Sequence, residues 1–228
     1  MIDLIDIRKS YGELKVLDGV SLRVEEGETV AVVGPSGAGK TTLLQIAGTL
    51  DRPDSGIVRY DGRDITSFGD KRLSEFRNRN IGFVFQFHQL LPEFTAQENV
   101  ALPALIAGEN RSHAMNEAAR LLDMLGLSER LLHKPAAMSG GERQRTAIAR
   151  ALINNPRVVL ADEPTGSLDS HNREEIQNIF IRLREELGQT FVMVTHDPSL
   201  ALIAHHIVTM TDGHIDTVQT DNNISNPE

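Results

Sequence analysis

A glycine-rich segment that lies between an apolar run and a helical pattern constrains the fold more than any other feature. Residues 34–41, GPSGAGKT, match the pattern G-x-x-x-x-G-K-[ST], directly after the apolar run Val30–Val33. Glycines let backbone N–H groups converge on an anion, and the N-terminus of a helix adds partial positive charge. A glycine-rich turn without a ligand is the alternative. The pattern predicts a buried strand, a phosphate-binding loop and a helix, and the nucleotide-binding residues that it predicts are Gly34, Pro35, Ser36, Gly37, Ala38, Gly39, Lys40, Thr41 and Thr42.

The two residues that end this pattern, Lys40 and Thr41, carry groups that can bind phosphate and metal. The Lys40 ammonium can reach the β- and γ-phosphates of a nucleotide, and the Thr41 hydroxyl can ligate Mg²⁺. The sequence therefore predicts a nucleotide with β- and γ-phosphates, together with Mg²⁺, as ligands of this loop.

Composition excludes several other classes of protein. The 228 residues contain no cysteine, which excludes disulfides, cysteine-ligated zinc and a cysteine nucleophile, and which fits a reducing compartment. The net charge of −9 offers no basic face to a nucleic-acid backbone, so we expect no nucleic-acid partner. No apolar segment approaches the roughly 18 residues that a membrane span needs.

Alternating strand and helix patterns indicate a single α/β domain. Buried strands are predicted at Val158–Ala161 and Phe191–Thr195, with an amphipathic helix at Ile176–Leu187 between them, which is typical of a parallel sheet covered on both faces. Short strands are predicted before Val30, and helices between Glu98 and Pro156. We expect an ATP-binding core with an antiparallel β-subdomain (1–87 and 156–218), an inserted helical subdomain (88–155) and a flexible tail (219–228).

Two carboxylates follow the strand predicted at Val158–Ala161. Ligands of open α/β sheets lie at the carboxyl ends of the strands, so Asp162 should lie beside the phosphate loop and contribute to the Mg²⁺ shell. Glu163 would orient or deprotonate the attacking water. The alternative is that both acids merely end a strand before the turn at Pro164.

A second glycine pair begins an arginine-rich helical stretch. Ser139 and Glu142 have the spacing of a capping box, with Gly140 and Gly141 between them. The same arrangement is an anion site, because free N–H groups, a hydroxyl and the helix dipole point outward. Since the first loop already encloses the phosphates, this second site is best explained as closing over the nucleotide of a second copy of the chain.

Residues 138–142, MSGGE, resemble the signature motif of the ATP-binding-cassette (ABC) ATPases, which is usually LSGGQ. Met138 replaces the leucine and Glu142 the glutamine, whereas Ser139, Gly140 and Gly141, which contact phosphate in the family, are unchanged. The resemblance implies that two chains enclose two ATP molecules, each between the phosphate loop of one chain and the signature of the other.

Four further positions match motifs of the same family. Tyr11 resembles the aromatic residue that stacks on adenine, Gln86 the Q-loop glutamine, Asp169 the D-loop aspartate and His196 the switch histidine. The resemblance implies that Gln86 and His196 act in catalysis with Glu163, and that Gln86 also lies in the metal shell. Taken alone, these residues have plainer interpretations: a strand-end aromatic, a solvated amide, a helix cap and a structural histidine.

The resemblance covers about residues 1–215 and implies an ABC-type nucleotide-binding domain with the P-loop NTPase fold. Residues 86–94, 98–100 and 139–145 are most similar to the LolD-type group, whose members power the release of lipoproteins from the bacterial inner membrane. MacB-type export cassettes and FtsE-like cell-division ATPases are related alternatives. Ser167 departs from this group, in which asparagine is usual.

The resemblance also implies partners. A second copy of the chain and integral membrane subunits of the LolC/LolE type are expected, with the chain at the cytoplasmic side of the bacterial inner membrane. Phe87, Leu90, Leu91 and Phe94 either line the groove for a membrane subunit or bury against the helical insertion. A soluble DNA-repair or translation cassette is disfavoured, because the chain has neither a long heptad insertion nor a second cassette, and a small P-loop kinase would not need residues 139–141.

Overall fold

Residues 1–220 of a computed structural model are described, and they contain two β-sheets, seven α-helices and two short 3-10 helices at Ser128–Arg130 and Pro135–Ala137. The strands are β1 (Ile2–Tyr11), β2 (Leu14–Val24), β3 (Thr29–Val33), β4 (Ser55–Tyr60), β5 (Arg63–Asp64), β6 (Ile81–Phe85), β7 (Val158–Asp162), β8 (Thr190–Val194), β9 (His206–Thr211) and β10 (His214–Thr220). The helices are α1 (Lys40–Ala47), α2 (Asp70–Asn80), α3 (Ala96–Ile106), α4 (Arg111–Met124), α5 (Gly140–Leu152), α6 (Ser170–Leu187) and α7 (Pro198–Ala201).

The larger sheet is parallel except at one edge. Its strand order is β10-β9-β3-β8-β7-β6, and only β10 runs antiparallel to its neighbour. The smaller sheet, in the order β2-β1-β4-β5, is antiparallel throughout. The predicted parallel core and antiparallel N-terminal layer are confirmed, with β10 added at the edge. Because β3, β8 and β7 are parallel neighbours, the segments that follow them emerge at one edge of the sheet.

The larger sheet separates the hydrophobic core into two layers, and the side chains of β7 belong to both. These side chains alternate between the faces of the sheet, as the pleat requires. Val158 and Leu160 pack with α1 and the antiparallel sheet, whereas Val159 and Ala161 pack with the helices α3–α6. All four are fully buried. The sheet is therefore covered on both faces, as predicted.

The helices agree with the sequence patterns in part. The apolar stripe of α4 is buried, and Gly126, at φ 72°, follows the end of this helix. Helix α6 begins at Ser170, six residues before the predicted start at Ile176. Helix α2 was not predicted, because Leu73 is its only buried residue and no apolar stripe marks it. Of the predicted tail, residues 219 and 220 belong to β10, and residues 221–228 lie outside the described residues.

A close contact between β6 and α5 gives a stability prediction. A Cβ on Gly82 would lie 2.4 Å from the carbonyl oxygen of Ala151, so Gly82→Ala must push the helix away from the sheet. We expect a loss of about 1–3 kcal/mol, seen in thermal unfolding as a Tm lower by about 2–4 °C for each kcal/mol. Gly69→Ala is the matched control, because nothing lies within 4 Å of a Cβ there. Equal Tm values for the two variants would contradict the contact.

Candidate functional site

The loop between β3 and α1 has two positions, Gly34 and Gly39, that only glycine can occupy. Gly34 has φ 145°, and a Cβ there would lie 2.1 Å from the carbonyl oxygen of Met210. Gly39 has φ 94°, and a Cβ there would lie 2.7 Å from the carbonyl oxygen of Val16. The loop is therefore held between two backbone segments, and the first N–H groups of α1 remain free for a ligand.

Lys40 folds back over this loop. Its Nζ atom donates to the carbonyl oxygens of Gly34 and Pro35, both at 2.8 Å. The ammonium charge therefore lies on the concave side of the loop, beside the free N–H groups of the helix. Positive charge and N–H donors together suit the binding of phosphate oxygens.

Thr41 and Asp162 provide a pair of oxygen ligands. The Thr41 hydroxyl donates to Oδ1 of Asp162 at 3.2 Å. Burial raises the pKa of Asp162, as does the nearby Glu163, whereas the Thr41 hydrogen bond and the Lys40 charge lower it. A divalent cation would offset the cost of that buried negative charge, and hydroxyl and carboxylate oxygens are ligands that Mg²⁺ accepts. Within residues 1–220, no cluster of three His, Cys, Asp or Glu side chains could bind a metal alone, so nucleotide and water oxygens would complete the shell.

Glu163 and His196 are in contact at the ends of β7 and β8. His196 Nδ1 lies 2.8 Å from Oε1 of Glu163. The Thr195 hydroxyl and the His196 N–H both donate to Oε2, each at 3.3 Å. The Glu163 side chain is 18 % exposed and that of His196 is 70 % exposed. The carboxylate is therefore oriented by three groups, and the imidazole covers it from the solvent side.

The phosphate loop, Glu163 and His196 line one cavity of about 450 Å³. It joins the phosphate loop to Glu163 and His196, as the sequence predicts. Leu14 and Val16 also line it, and no motif had marked them. Its lining residues are Leu14, Val16, Gly34, Ser36, Gly37, Gly39, Lys40, Thr41, Thr42, Glu163, Val194 and His196. The predicted site residues outside this lining are Tyr11, Pro35, Ala38, Gln86, Ser139, Gly140, Gly141, Asp162 and Asp169.

Tyr11 is held next to the site by its hydroxyl. This group donates to Oδ2 of Asp51 at 2.6 Å, and the Lys9 Nζ atom lies 5.1 Å from the ring centroid. The hydrogen bond to Asp51 is the main cause of a raised Tyr11 pKa. The residue is 48 % exposed, so its ring remains available for stacking.

Gln86 follows β6 and contacts the turn after Glu163. The Ser167 hydroxyl donates to the Gln86 carbonyl oxygen at 2.9 Å, and a Cβ on Gly166 would lie 3.0 Å from Gln86 Nε2. The segment that leads from the Glu163 carboxylate to Asp169 is therefore packed on the Gln86 loop.

The predicted capping box at the start of α5 is confirmed. The Glu142 N–H donates to the Ser139 hydroxyl at 3.2 Å, and the Ser139 N–H donates to the Glu142 carboxylate at 2.7 Å. Arg130 Nε also donates to Glu142, at 2.6 Å. Gly140 and Gly141 lie in the first turn, where N–H groups have no partner inside the helix. The segment is thus a capped helix N-terminus with N–H groups that have no partner inside the helix.

Gln144 supports the site, and sequence reasoning missed it. It is fully buried on α5, and its Nε2 donates to the carbonyl oxygen of Pro164 at 2.7 Å. The signature helix is thereby linked to the residue that follows Glu163. A glutamine among arginines at the start of a helix resembles a solvated side chain, so no local pattern marks it.

Known proteins resemble the chain over nearly its whole length. Residues 17–166 match the ABC transporter family. The lipoprotein-releasing system ATP-binding protein LolD of Bacteroides fragilis is 59% identical over 215 residues, which are 94% of this chain and 100% of that protein. The protein with the same description in Porphyromonas gingivalis is 58% identical, over 93% of this chain and 97% of its own length.

A solved structure is similar over nearly the whole chain as well. It is a dimeric, post-hydrolysis state of the ATP-binding cassette MJ0796 bound to ADP and Pi, with a TM-score of 0.89 and 40% identity. It covers 96% of this chain, and this chain covers 98% of it.

Proposed function

The chain belongs to the ABC transporter family, and on that premise we propose that it is the ATP-hydrolysing subunit of a complex that releases lipoproteins from the bacterial inner membrane for outer-membrane targeting. Its fold is that of an ATP-binding cassette, and it is an ATPase. The observation that carries the assignment is the 59% identity to a lipoprotein-releasing ATP-binding protein over that protein's full length.

Hydrolysis is assigned to the residues around the cavity. The N–H groups of the phosphate loop and the Lys40 ammonium bind the β- and γ-phosphates. Glu163 orients a water and accepts its proton, because its carboxylate faces the loop and is held by neighbouring donors. His196 donates a hydrogen bond to the γ-phosphate as negative charge develops there. Thr41 and Asp162, with Gln86, would hold Mg²⁺, which when bound supplies charge that neutralises the phosphate oxygens.

Two chains form the working unit. The similar cassette is dimeric with ADP and Pi bound, which supports a clamp in which Ser139, Gly140 and Gly141 of one chain bind the nucleotide of the other. Asp169 lies at the same contact, and Tyr11 stacks on the adenine. Closing of the two chains over ATP pulls on the membrane subunits, and hydrolysis reopens them.

The chain works with separate membrane subunits, which we propose to be of the LolC/LolE type, at the cytoplasmic side of the inner membrane. No helix within residues 1–220 is long and apolar enough to span a membrane. A groove of about 620 Å³ between α2, α3, α5 and β6 includes Phe85, Gln89 and Ile106 and would receive a segment of such a subunit. Beside it, Phe87 is 75% exposed, and Leu91 and Phe94 are also exposed, which favours docking over burial for three of the four candidates.

We also propose that residues 88–155 act as the helical subdomain that carries the signature. Residues 1–87 and 156–218 then form the nucleotide-binding core with its β-subdomain. In support of this division, α3, α4 and α5 all lie between 88 and 155.

Lipoprotein release tests the proposal directly. The chain would be purified with the membrane subunits that it binds and reconstituted in vesicles that contain an acylated lipoprotein. We expect ATP-dependent release to a soluble acceptor, and none with the Glu163→Gln variant. If the chain co-purified with export or cell-division membrane proteins and no lipoprotein were released, the assignment to lipoprotein release would be wrong. The assignment as an ATPase would still hold.

Nucleotide binding gives a separate prediction for Lys40. Removing a charged hydrogen-bond donor to phosphate costs about 1.5–3 kcal/mol, so Lys40→Ala should weaken ATP affinity by about ten- to a hundredfold. Titration with a fluorescent ATP analogue measures this. Lys71→Ala, an exposed lysine on α2, is the control. Unchanged affinity in Lys40→Ala would contradict the assignment of the phosphate loop.

A further inference from the structure

Asn172, in the first turn of α6, holds the carboxylate of Asp169 by two hydrogen bonds. The Asn172 backbone N–H donates to Oδ1 at 2.9 Å, which is an ordinary helix cap. The Asn172 side-chain Nδ2 also donates, to Oδ2, at 2.8 Å. The second bond is not needed to cap the helix, and it fixes the orientation of the Asn172 carboxamide.

The other end of that carboxamide fits against the signature. A Cβ on Gly141 would lie 1.9 Å from Oδ1 of Asn172 and 2.7 Å from its Cγ, so the missing side chain of Gly141 is the space that Asn172 occupies. Beside this contact, a Cβ on Gly140 would lie 3.4 Å from Cδ2 of Leu168. Residues 168–172 are therefore packed directly on Gly140 and Gly141.

Both segments serve the same nucleotide in the clamp proposed above. Ser139–Gly141 and Asp169 would each act on the ATP of the partner chain, and anion binding by backbone N–H groups depends on their direction. We propose that Asn172 is a positioning residue that joins residues 168–169 and the signature into one unit facing the partner's nucleotide. This inference rests on the proposed dimer.

Single substitutions separate positioning from folding. In a Glu163→Gln background, which retains ATP, we expect Asn172→Ala to weaken ATP-dependent pairing at least tenfold in sedimentation experiments. The ATP affinity and the Tm of the monomer should both be the same as in Glu163→Gln alone. Asn178→Ala, an exposed asparagine on the same helix, is the control and should pair normally.

Asn172→Asp tests the hydrogen bond itself. It keeps the shape and Oδ1 but replaces the Nδ2 donor by an acceptor that faces the Asp169 carboxylate. We expect pairing as weak as in Asn172→Ala. Normal pairing of Asn172→Asp would show that packing alone matters and would overturn the proposal.

Mixed dimers in the same background test whether Asn172 serves the partner's site. When Asn172→Ala and Lys40→Ala are on different chains, one composite site keeps both an intact phosphate loop and an intact signature, and we expect pairing. When both substitutions are on one chain and the partner carries neither, each site has one defect, and we expect pairing to be lost. Equal pairing of the two mixtures would overturn the proposal.

The same pair of mixtures, with Ser139→Arg in place of Asn172→Ala, distinguishes failure of the positioning role from failure of the proposed dimer. A difference for Ser139→Arg without one for Asn172→Ala would reject the positioning role alone. No difference for either substitution would reject the dimer on which the role rests.

Discussion

Replacement of Glu163 by glutamine is expected to lower ATP turnover by about 10²–10⁴-fold, the usual contribution of a general base, while ATP affinity stays unchanged. Glutamine keeps the shape of the side chain and can still contact His196, which lies 2.8 Å from the carboxylate in the unaltered chain. It cannot accept a proton from water. ATP should therefore bind, close the two chains and remain uncleaved.

Two measurements check this result. Phosphate release gives the turnover, and gel filtration with ATP should show a stable dimer in Glu163→Gln only. Glu174→Gln, at an exposed position on α6, is the control and should keep normal turnover. Wild-type turnover in Glu163→Gln would remove Glu163 from the catalytic role.

Ser139→Arg is expected to abolish ATP-dependent pairing and to reduce hydrolysis by about 10²–10³-fold, the typical effect of losing preorganised donors to a charged transition state. A long cation at the start of α5 obstructs the approach of a second chain. The phosphate loop of the same chain is untouched, so its ATP affinity should be normal.

The control for this variant is an exposed serine at the start of a different helix. Ser112, in α4, is exposed, and Ser112→Arg should pair and hydrolyse normally. Loss of ATP binding by a Ser139→Arg monomer would mean that the signature acts on its own chain's nucleotide. The clamp would then be wrong.

Much of the site could be predicted because its parts are local in sequence. The glycine pattern requires a loop between a strand and a helix, the two acids follow an apolar strand, and Ser139 with Glu142 is a capping box. Each of these features depends on residues that are close together in the sequence. The placement of Asp162 beside the loop followed from the rule that ligands lie at the carboxyl ends of parallel strands.

What could not be predicted depends on contacts between distant segments. Asn172 fits the space left by Gly141, and Gln144 bonds to Pro164, but neither asparagine nor glutamine has a periodic pattern that signals a partner. Leu14 and Val16 enter the cavity only because β2 lies across from the phosphate loop. Helix α2 carries a single buried residue, so hydrophobic periodicity could not reveal it.

The position of β3 has a consequence for synthesis of the chain on the ribosome. Val30 pairs with Val192 on one side and His206 on the other, so both neighbours of the strand that leads into the phosphate loop are translated long after it. At about 5–20 residues per second, an interval on the order of ten seconds separates the synthesis of β3 from that of β8 or β9. During that interval the apolar residues of β3 are without their sheet partners, and a nascent chain stalled before residue 190 has no completed nucleotide site. ATP can therefore stabilise only chains in which β8 and β9 have already been made.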